Sequence, residues 1–331
     1  MSPLANSPKV SVLIPAYNRS QYIGEAIQSV LNQTYPHFEV VVVDDGSTDD
    51  TAAKVRQFTD PRLQLICQKN RGVSGALNAA FRASRGHYIA ILGSDDRWLP
   101  EFLGAVIPVL DERIDIGLVY GRAQAMTSDG HRMRHQIGRP PKFQGQTFKS
   151  LVYGDHVCGI SVLIRREHIE TVQLWDESLT ANEDWDLWLR LSRVCQFLFI
   201  DQVFAHYRIH TQNMTNPRSK TYHRLIHDRF RALDKVFQQP DLPLEIRSME
   251  SIAYYNVNLY GTIRWISVHR WKEGVHYLIK AFRIFPRPVT LLRILYVIFR
   301  YGYFNEWAWG GKLLNFLWVL RRRVTPQNSV K

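Results

Sequence analysis

Short apolar segments alternate with amphipathic ones along the first 120 residues. The apolar segments are rich in Val, Ile and Leu, as buried strands are, and cover residues 10–14, 38–43, 63–67, 88–92 and 116–120. Between the first two, the apolar positions 23, 26, 27, 30 and 31 follow the spacing of one helix face. Strands that alternate with helices indicate βαβ units, so we predict an α/β fold with a mostly parallel central sheet and flanking helices.

The elements that follow are less regular. We predict a helix over residues 97–110, with Pro100 in its first turn, and a loop over the polar residues 127–146. An acidic, aromatic helix is predicted at residues 182–192. Three more strands are predicted at residues 160–165, 197–201 and 203–209. From about residue 216 the pattern is helical to the end. We therefore predict a catalytic domain over residues 1–215 and a C-terminal α-helical region over residues 216–331.

Charge is distributed unevenly along the chain. Residues 201–331 contain 21 Lys and Arg but 8 Asp and Glu, and the whole chain has a net charge of +12. The basic residues are interleaved with aromatic and aliphatic ones, as in FRIFPRPVTLLRILYVIFRYGYF and LLNFLWVLRRR, a pattern typical of an interfacial helix. We expect contact with an anionic membrane surface, with packing on the domain or in a homo-oligomer as the alternative. The nearly neutral first 200 residues argue against a nucleic-acid partner.

The sequence contains no signal for export or membrane insertion. The N-terminus lacks a basic region followed by an apolar one, and no C-terminal stretch reaches 18 uncharged apolar residues. The three cysteines form no CxxC pair, which argues against a disulfide framework or a zinc site. We expect a cytoplasmic protein, peripheral on the cytoplasmic face of the membrane.

Polar clusters follow the predicted strands, where ligands of parallel sheets bind. PAYN follows the first strand, DDGSTDD the second and GSDD the fourth. Asp45 can accept a hydrogen bond from a nucleobase ring N–H, which uracil and thymine offer and cytosine lacks. The adjacent carboxylates of Asp95 and Asp96 suit either a cap on the following helix or a divalent cation with oxygen ligands, Mg²⁺ or Mn²⁺.

The motifs occur in a distinctive order. VSVLIPAYNRSQYIGEAIQSVLNQTYPHFEVVVVDDGSTDDT is followed by NRGVSGALNAAFRASRGHYIAILGSDD and then by NEDWDLWLRLS. Over roughly residues 9–210 this series resembles the inverting family 2 of glycosyltransferases, which have the Rossmann-like GT-A fold. No GxGxxG follows the first strand, so a dinucleotide-binding Rossmann enzyme is disfavoured.

The resemblance implies a nucleotide-sugar site at the strand ends. Pro15, Ala16 and Tyr17 match the segment that contacts the base, with Tyr17 placed to stack on it. Asp45 matches the aspartate that binds the base. Asp95 matches a residue near the ribose or donor sugar, and Asp96 matches the residue that binds the Mn²⁺ or Mg²⁺ cofactor.

The resemblance also implies a catalytic base and further donor contacts. Asp184, in the pair with Glu183, matches the general base that accepts the proton of the acceptor hydroxyl. From the residues alone, both carboxylates also suit the positive end of a helix dipole. Of the remaining candidates, His210 is a metal ligand and Arg208 is a phosphate contact. Asn70, Gly72 and Asn78 are donor-side residues.

Together these features predict a metal-dependent enzyme that transfers a sugar, with inversion, from a UDP- or dTDP-sugar to a hydroxyl of a glycan or a lipid-linked acceptor. The expected role is polysaccharide, glycolipid or glycoprotein biosynthesis. The alternative is a catalytically silent sugar-nucleotide-binding or scaffold protein on the same fold. The presence of both Asp96 and Asp184 favours the enzyme.

Overall fold

The computed structural model describes residues 8–216, 219 and 222–286. The chain divides into two compact units, Met1–Ile246 and Arg247–Lys331. The first unit therefore extends past residue 215, where the sequence predicts the end of the catalytic domain. Most of the first basic aromatic segment, all of the second, and the helices predicted beyond residue 286 lie outside the described residues.

Within the described residues, nine strands of the first unit form one sheet. They are β1 Val10–Ala16, β2 Phe38–Asp44, β3 Leu63–Cys67, β4 Tyr88–Ile91, β5 Arg97–Trp98, β6 Ile116–Met126, β7 Arg132–Ile137, β8 Val162–Arg165 and β9 Gln196–Arg208. The strand order is β3-β2-β1-β4-β8-β6-β9-β5, with β7 paired to β6. The pairs among β3, β2, β1 and β4 are parallel, so these four strands end at the same edge.

Helices cover the sheet and continue into the second unit. In the first unit they are α1 Ile23–Leu31, α2 Thr51–Val55, α3 Gly72–Ala83, α4 Phe102–Glu112, α5 Thr147–Tyr153, α6 Arg166–Thr171, α7 Glu183–Leu191 and α8 Arg224–Phe237. The short α9, Leu244–Arg247, spans the boundary between the units, and the second unit contains α10 Glu250–Ile266 and α11 Trp271–Ile284.

The core forms where the sequence pattern predicts it. The side chains of β1 and β2 are almost all buried, and the face of α1 formed by Ile23, Ala26, Ile27 and Val30 is buried with them. Removing this apolar surface from water stabilises the sheet by about 25 cal/mol per Å². The predicted α/β class with a central sheet and flanking helices is confirmed, and the described part of the C-terminal region is helical.

Two local predictions are wrong. Residues 97–110 do not form one helix, because Arg97 and Trp98 pair with β9 and Leu99 N–H donates to Phe204 O at 2.8 Å. The helix begins only at Phe102, after the proline. Residues 127–146 include β7, a strand whose side chains are nearly all exposed, so its polar composition gave no alternation of apolar and polar residues.

The helices of the second unit form a hairpin. A Cβ at Gly261 of α10 would lie 2.9 Å from the Tyr277 ring of α11, and a Cβ at Gly274 would lie 2.6 Å from Ile266. The two glycines thus let the helices approach closely. No helix among the described residues has the length and apolar character needed to span a bilayer.

Candidate active site

Two polar loops meet where β1 and β2 end. The strands are in parallel register, with Ala16 opposite Asp44, and Asp45 N–H donates to Ala16 O at 2.8 Å. Pro15 lies within β1, while Tyr17 projects beyond it with 45% of its surface exposed. Tyr17 is therefore not a core residue, and its ring is accessible for stacking.

The loops after β1 and β2 also hold each other in place. Asn18, with φ of 53°, receives a bond at its Oδ1 from Thr48 N–H at 2.8 Å, and its own N–H donates to Ser47 Oγ at 2.9 Å. Ser20 N–H donates to Asp49 Oδ2 at 3.1 Å. These reciprocal bonds preorganise the surface on which Tyr17 stands.

Asp45 is buried and fastens the start of α3. Its Oδ1 accepts hydrogen bonds from Gln68 Nε2 at 2.7 Å and Arg71 N–H at 2.9 Å, and its Oδ2 accepts one from Gly72 N–H at 2.9 Å. Gly72 has φ of +78°, a conformation that favours glycine, and Asn70 Oδ1 also lies 3.3 Å from its nitrogen. A carboxylate offers about four acceptor positions, so one remains for a ligand N–H.

Asp95 and Asp96 form a tight turn after β4. Asp95 Oδ2 accepts bonds from Arg19 Nε at 3.0 Å and His210 Nε2 at 2.9 Å, while Asp96 Oδ1 accepts one from Arg208 N–H at 2.8 Å. A Cβ at Gly93 would collide with Asp96 Oδ2, so the turn requires glycine there. Because α4 begins at Phe102, with Glu101 at its cap position, the two aspartates do not cap it.

The pKa values of Asp95 and Asp96 are shifted in opposite directions. Burial alone would raise the pKa of Asp95, but the His210 hydrogen bond and the Arg19 charge hold that pKa below its ordinary value. Burial, together with the charge of Asp95, raises the pKa of Asp96 well above its ordinary value. A divalent cation next to Asp96 would offset the cost of its buried charge.

A metal ion fits this turn when the substrate supplies further ligands. Among the described residues, no three His, Cys, Asp or Glu side chains converge to hold a metal ion by themselves. Mg²⁺ is typically held by one or two carboxylates together with substrate phosphates. Asp96 Oδ2, which receives no hydrogen bond from a described residue, can supply such a ligand.

His210 orients Asp95. Its Nδ1 accepts a bond from Gln212 N–H at 3.1 Å, so Nε2 carries the proton that is donated to Asp95. The ring packs against Tyr22 with 4.8 Å between centroids. Metal binding through Nε2 would require loss of that proton and a change at Gln212, and the predicted role as a metal ligand stays a prediction.

Arg208 supports the Asp95–Asp96 turn through hydrogen bonds. Its guanidinium is 1% exposed and donates to Asp95 O, Ser128 O and Glu25 Oε2 at 2.8, 2.8 and 2.7 Å. All three side-chain nitrogens thus have protein acceptors. Because the side chain is also almost fully buried, these bonds favour a structural role, and the phosphate contact predicted for Arg208 stays a prediction.

Asn78 is placed differently from its prediction as well. It is buried in α3, where Nδ2 donates to Trp175 O at 2.9 Å and Oδ1 accepts from Trp175 N–H at 3.1 Å. Nδ2 also donates to Glu177 Oε1 at 3.0 Å. Asn78 therefore fixes the segment before α7 and does not act as a free donor-side amide.

Glu183 and Asp184 form the first turn of α7, directly after Asn182 with φ of 53°. Burial and the charge of Asp184 raise the pKa of Glu183 to about 8, and burial and the charge of Asp155 raise that of Asp184 to about 6. Of the two groups, Asp184 therefore has the lower pKa and loses its proton more readily. Its role as the general base stays a prediction.

Several residues of the site have no clear signal in the sequence. Arg19 donates to Asp95 and also, from its Nη atoms, to Tyr17 O at 3.2 Å and Gln212 O at 3.1 Å. Asp155 pairs with Arg229 Nη2 at 3.7 Å. The only sequence signal for Arg19 is weak, namely its position directly after PAYN. Asp155 and Arg229 are far apart in the sequence and become partners only in the folded chain.

The structure thus has one aspartate pair directly after β4 and a second acidic pair at the start of α7. The model of "Glycosyl transferase family 2" matches residues 11–172. An uncharacterized glycosyltransferase of Rickettsia prowazekii is 32% identical over 216 residues, which cover 63% of this chain and 67% of that protein. The chain belongs to glycosyltransferase family 2.

Other relatives are longer or more distant. Chondroitin synthase of Escherichia coli is 30% identical over 218 residues, which are 63% of this chain but 30% of that protein's length. A mannosyltransferase of Pyrobaculum calidifontis in complex with GDP-Man and Mn²⁺ has a TM-score of 0.59 at 20% identity, covering 95% of this chain and 87% of that one. Residues 1–349 of Staphylococcus aureus TarS in complex with UDP-GlcNAc have a TM-score of 0.54 at 17% identity, covering 81% and 89%.

Proposed function

We propose that this glycosyltransferase is metal-dependent and moves a sugar from a UDP- or dTDP-sugar to an acceptor hydroxyl with inversion at the sugar carbon. Donor contacts come from Tyr17, Asp45 and the Asp95–Asp96 turn. The observation that carries the proposal is the position of two carboxylates: Asp96 lies in the turn after β4 with an Oδ2 that receives no hydrogen bond from a described residue, and Asp184 lies in the first turn of α7. The acceptor is a glycan or a lipid-linked sugar, in line with the named activity of chondroitin synthase.

The proposed reaction is one displacement at the sugar carbon. Asp184 accepts the proton of the acceptor hydroxyl while the new bond forms, and the nucleoside diphosphate leaves on the opposite face. Asp96 would hold a Mn²⁺ or Mg²⁺ ion, which would compensate the negative charge of the diphosphate as it leaves. Asp45 accepts the base N–H, and Tyr17 stacks on the base.

The choice of donor base follows from the ring N–H that Asp45 can accept. The two neighbouring structures contain UDP-GlcNAc and GDP-Man. Uracil, thymine and guanine all carry a ring N–H that Asp45 can accept, whereas cytosine does not. We therefore expect UDP or dTDP to bind best and CDP not to bind, with GDP as the informative third case.

A thermal-shift panel tests the donor and the metal together. UDP, dTDP, GDP and CDP are added with and without Mn²⁺ to the wild type, to Asp96→Asn, and to a control, Asp115→Asn, which removes an exposed carboxylate paired with Arg113. A nucleotide at about 100 times its Kd stabilises the fold by roughly 2.7 kcal/mol, a shift of a few degrees at this size. We expect Mn²⁺-dependent stabilisation that is lost in Asp96→Asn and kept in Asp115→Asn. A shift without Mn²⁺ that survives in Asp96→Asn would refute metal dependence, and no shift with any nucleotide would favour a silent scaffold.

Peripheral membrane contact is proposed for the second unit. One face of α11 carries an exposed apolar stripe whose members are each 38–47% exposed, namely Trp271, Val275, Ile279 and Phe282. The basic residues Lys272, Lys280 and Arg283 lie on the same helix. An apolar face next to positive charge is typical of helices in the interface of anionic bilayers. Such binding would place the enzyme on the cytoplasmic face, near a lipid-linked acceptor.

Vesicle sedimentation tests the membrane contact. The full chain should bind vesicles containing anionic phosphatidylglycerol and bind neutral phosphatidylcholine vesicles weakly. The double variant Trp271→Ser, Phe282→Ser should lose most binding, whereas Ile114→Ser, which removes an exposed apolar residue of the first unit, should not. Equal binding by both variants would exclude α11 as the contact, and a change in oligomeric state instead would assign the stripe to a second copy.

A further inference from the structure

The segment that leads into the acidic pair is held by α8. Asp228 Oδ2 accepts bonds from Thr180 N–H at 2.9 Å, Ala181 N–H at 3.0 Å and Thr180 Oγ1 at 3.2 Å. Asn182 Nδ2 donates to Leu225 O, one turn earlier on the same helix, at 2.7 Å. Three consecutive residues before Glu183 are thus fixed by two residues of α8.

These bonds hold Asn182 in a left-handed backbone conformation. Its φ is 53°, which asparagine tolerates better than most residues other than glycine. That conformation directs the chain into the first turn of α7 and so sets where Asp184 points. Asp228 itself is 3% exposed, and its other oxygen, Oδ1, lies 3.4 Å from Arg231 Nη1, so a buried carboxylate is retained with most of its acceptor positions filled.

Arg229, the next residue of α8, contacts groups beside the Glu183–Asp184 pair. Arg229 lies 3.7 Å from Asp155 and 4.8 Å above the Trp185 ring. The negative charge of Asp155 raises the pKa of Asp184. Gly159 allows Asp184 to lie close to the backbone, since a Cβ at Gly159 would be 3.3 Å from Asp184 Oδ2. Adjacent residues of one helix thus contact both the segment before Asp184 and the carboxylate beside it.

From this arrangement we infer that Asp228 is a positioning residue for the catalytic base, although it lies beyond the segment matched by the family model. It acts through Thr180 and Ala181, which place Asn182 and hence Asp184. The inference rests on the proposed role of Asp184.

The test compares variants of Asp228 in the full-length enzyme, with a radiolabelled hexose linked to the nucleotide that stabilises the fold in the panel as donor. Asp228→Ala removes the acceptor, Asp228→Asn keeps one neutral oxygen in the same place, and Arg224→Ala is the control at the exposed start of the same helix. We expect kcat to fall at least tenfold in Asp228→Ala and less in Asp228→Asn, with donor KM and the nucleotide thermal shift within twofold of wild type. Arg224→Ala should match the wild type.

Two further variants keep the outcome interpretable. If Asp228→Ala does not fold, Asn182→Ala, which loses the bond to Leu225 and the tolerance of the left-handed region, should show the same fall in kcat at unchanged donor KM. Unchanged kcat in the folded variants would overturn the inference, as would a parallel loss of donor binding. Asp184→Ala separates the two hypotheses: if it transfers sugar at the wild-type rate, the proposed function of Asp184 fails, whatever Asp228 does.

Discussion

Replacing the two members of the acidic pair should have very different effects. Asp184→Asn removes the base while keeping its shape, and general base catalysis contributes about 10²–10⁴-fold in rate. We expect kcat to fall by that factor, equivalent to roughly 2.7–5.4 kcal/mol in the activation free energy. Glu183→Gln resembles the protonated form that burial already favours at pH 7, so its kcat should stay within about threefold of wild type.

The pH profile gives an independent measure of the same base. With a pKa of about 6 for Asp184, kcat should fall about tenfold per pH unit below that value, because the protonated acid cannot accept a proton. Asp155 raises this pKa and Arg229 opposes it, while Glu183 is the titrating neighbour on the same helix. Asp155→Asn removes the like charge, so the acidic limb should move to lower pH.

The assay is initial-rate transfer of a radiolabelled sugar at saturating donor, metal and acceptor, between pH 4.5 and 8.5. Circular dichroism at each pH shows whether loss of rate reflects unfolding. A fall in Glu183→Gln as large as that in Asp184→Asn would refute the assignment of the base. An acidic limb at the same pH in Asp155→Asn and wild type would refute the electrostatic origin of the raised pKa.

Substitutions at Gly93, Tyr17, Arg208 and Glu183 have distinct expected effects. Gly93→Ala should abolish Mn²⁺-dependent nucleotide stabilisation, because the added methyl group displaces Asp96; thermal shift measures it, and a normal metal response would contradict the geometry. Tyr17→Ala should raise donor KM on the order of tenfold while Tyr17→Phe does not, since stacking on a base is worth about 1–3 kcal/mol; equal KM values in initial-rate kinetics would exclude stacking. Arg208→Ala should lower the free energy of unfolding in urea by roughly 3 kcal/mol, because buried acceptors lose their donors; a change under 1 kcal/mol would argue against its structural role. Burial raises the folded-state pKa of Glu183, so its stability penalty grows as pH rises from about 4.5 through about 8; Glu183→Gln should raise Tm at pH 8.5 and not at pH 4.5, and an equal effect at both would contradict the shifted pKa.

The elements that position the donor side could be predicted from sequence because their signals are local. The strands 10–14 and 38–43 show a continuous apolar pattern, and the polar residues that follow them necessarily emerge at one edge of a parallel sheet. Asp45 and Asp95 are therefore found from their positions relative to strands. The structure then adds their partners without changing their location.

The side chains that hold the site could not be predicted in this way. Arg208 donates to Glu25, 183 residues earlier in the chain, and Asn78 bonds to Trp175, 97 residues later. In the sequence both look like polar residues available to a ligand. Only tertiary packing shows that their donors are already used within the protein, because a buried polar group must be hydrogen-bonded wherever its partner lies.

The proposed donor site and the proposed base are held by different parts of the first unit. The proposed donor contacts lie on loops directly after parallel strands, within residues 15–96. The proposed base, Asp184, instead follows a left-handed residue, Asn182, which is hydrogen-bonded to a helix that begins only at Arg224. Changes in α8 can therefore move Asp184 relative to the acceptor while leaving the metal turn and the base-binding surface in place. A family with one donor-binding frame can in this way accommodate different acceptors, because the frame that binds the nucleotide and the support that aims the base come from different parts of the chain.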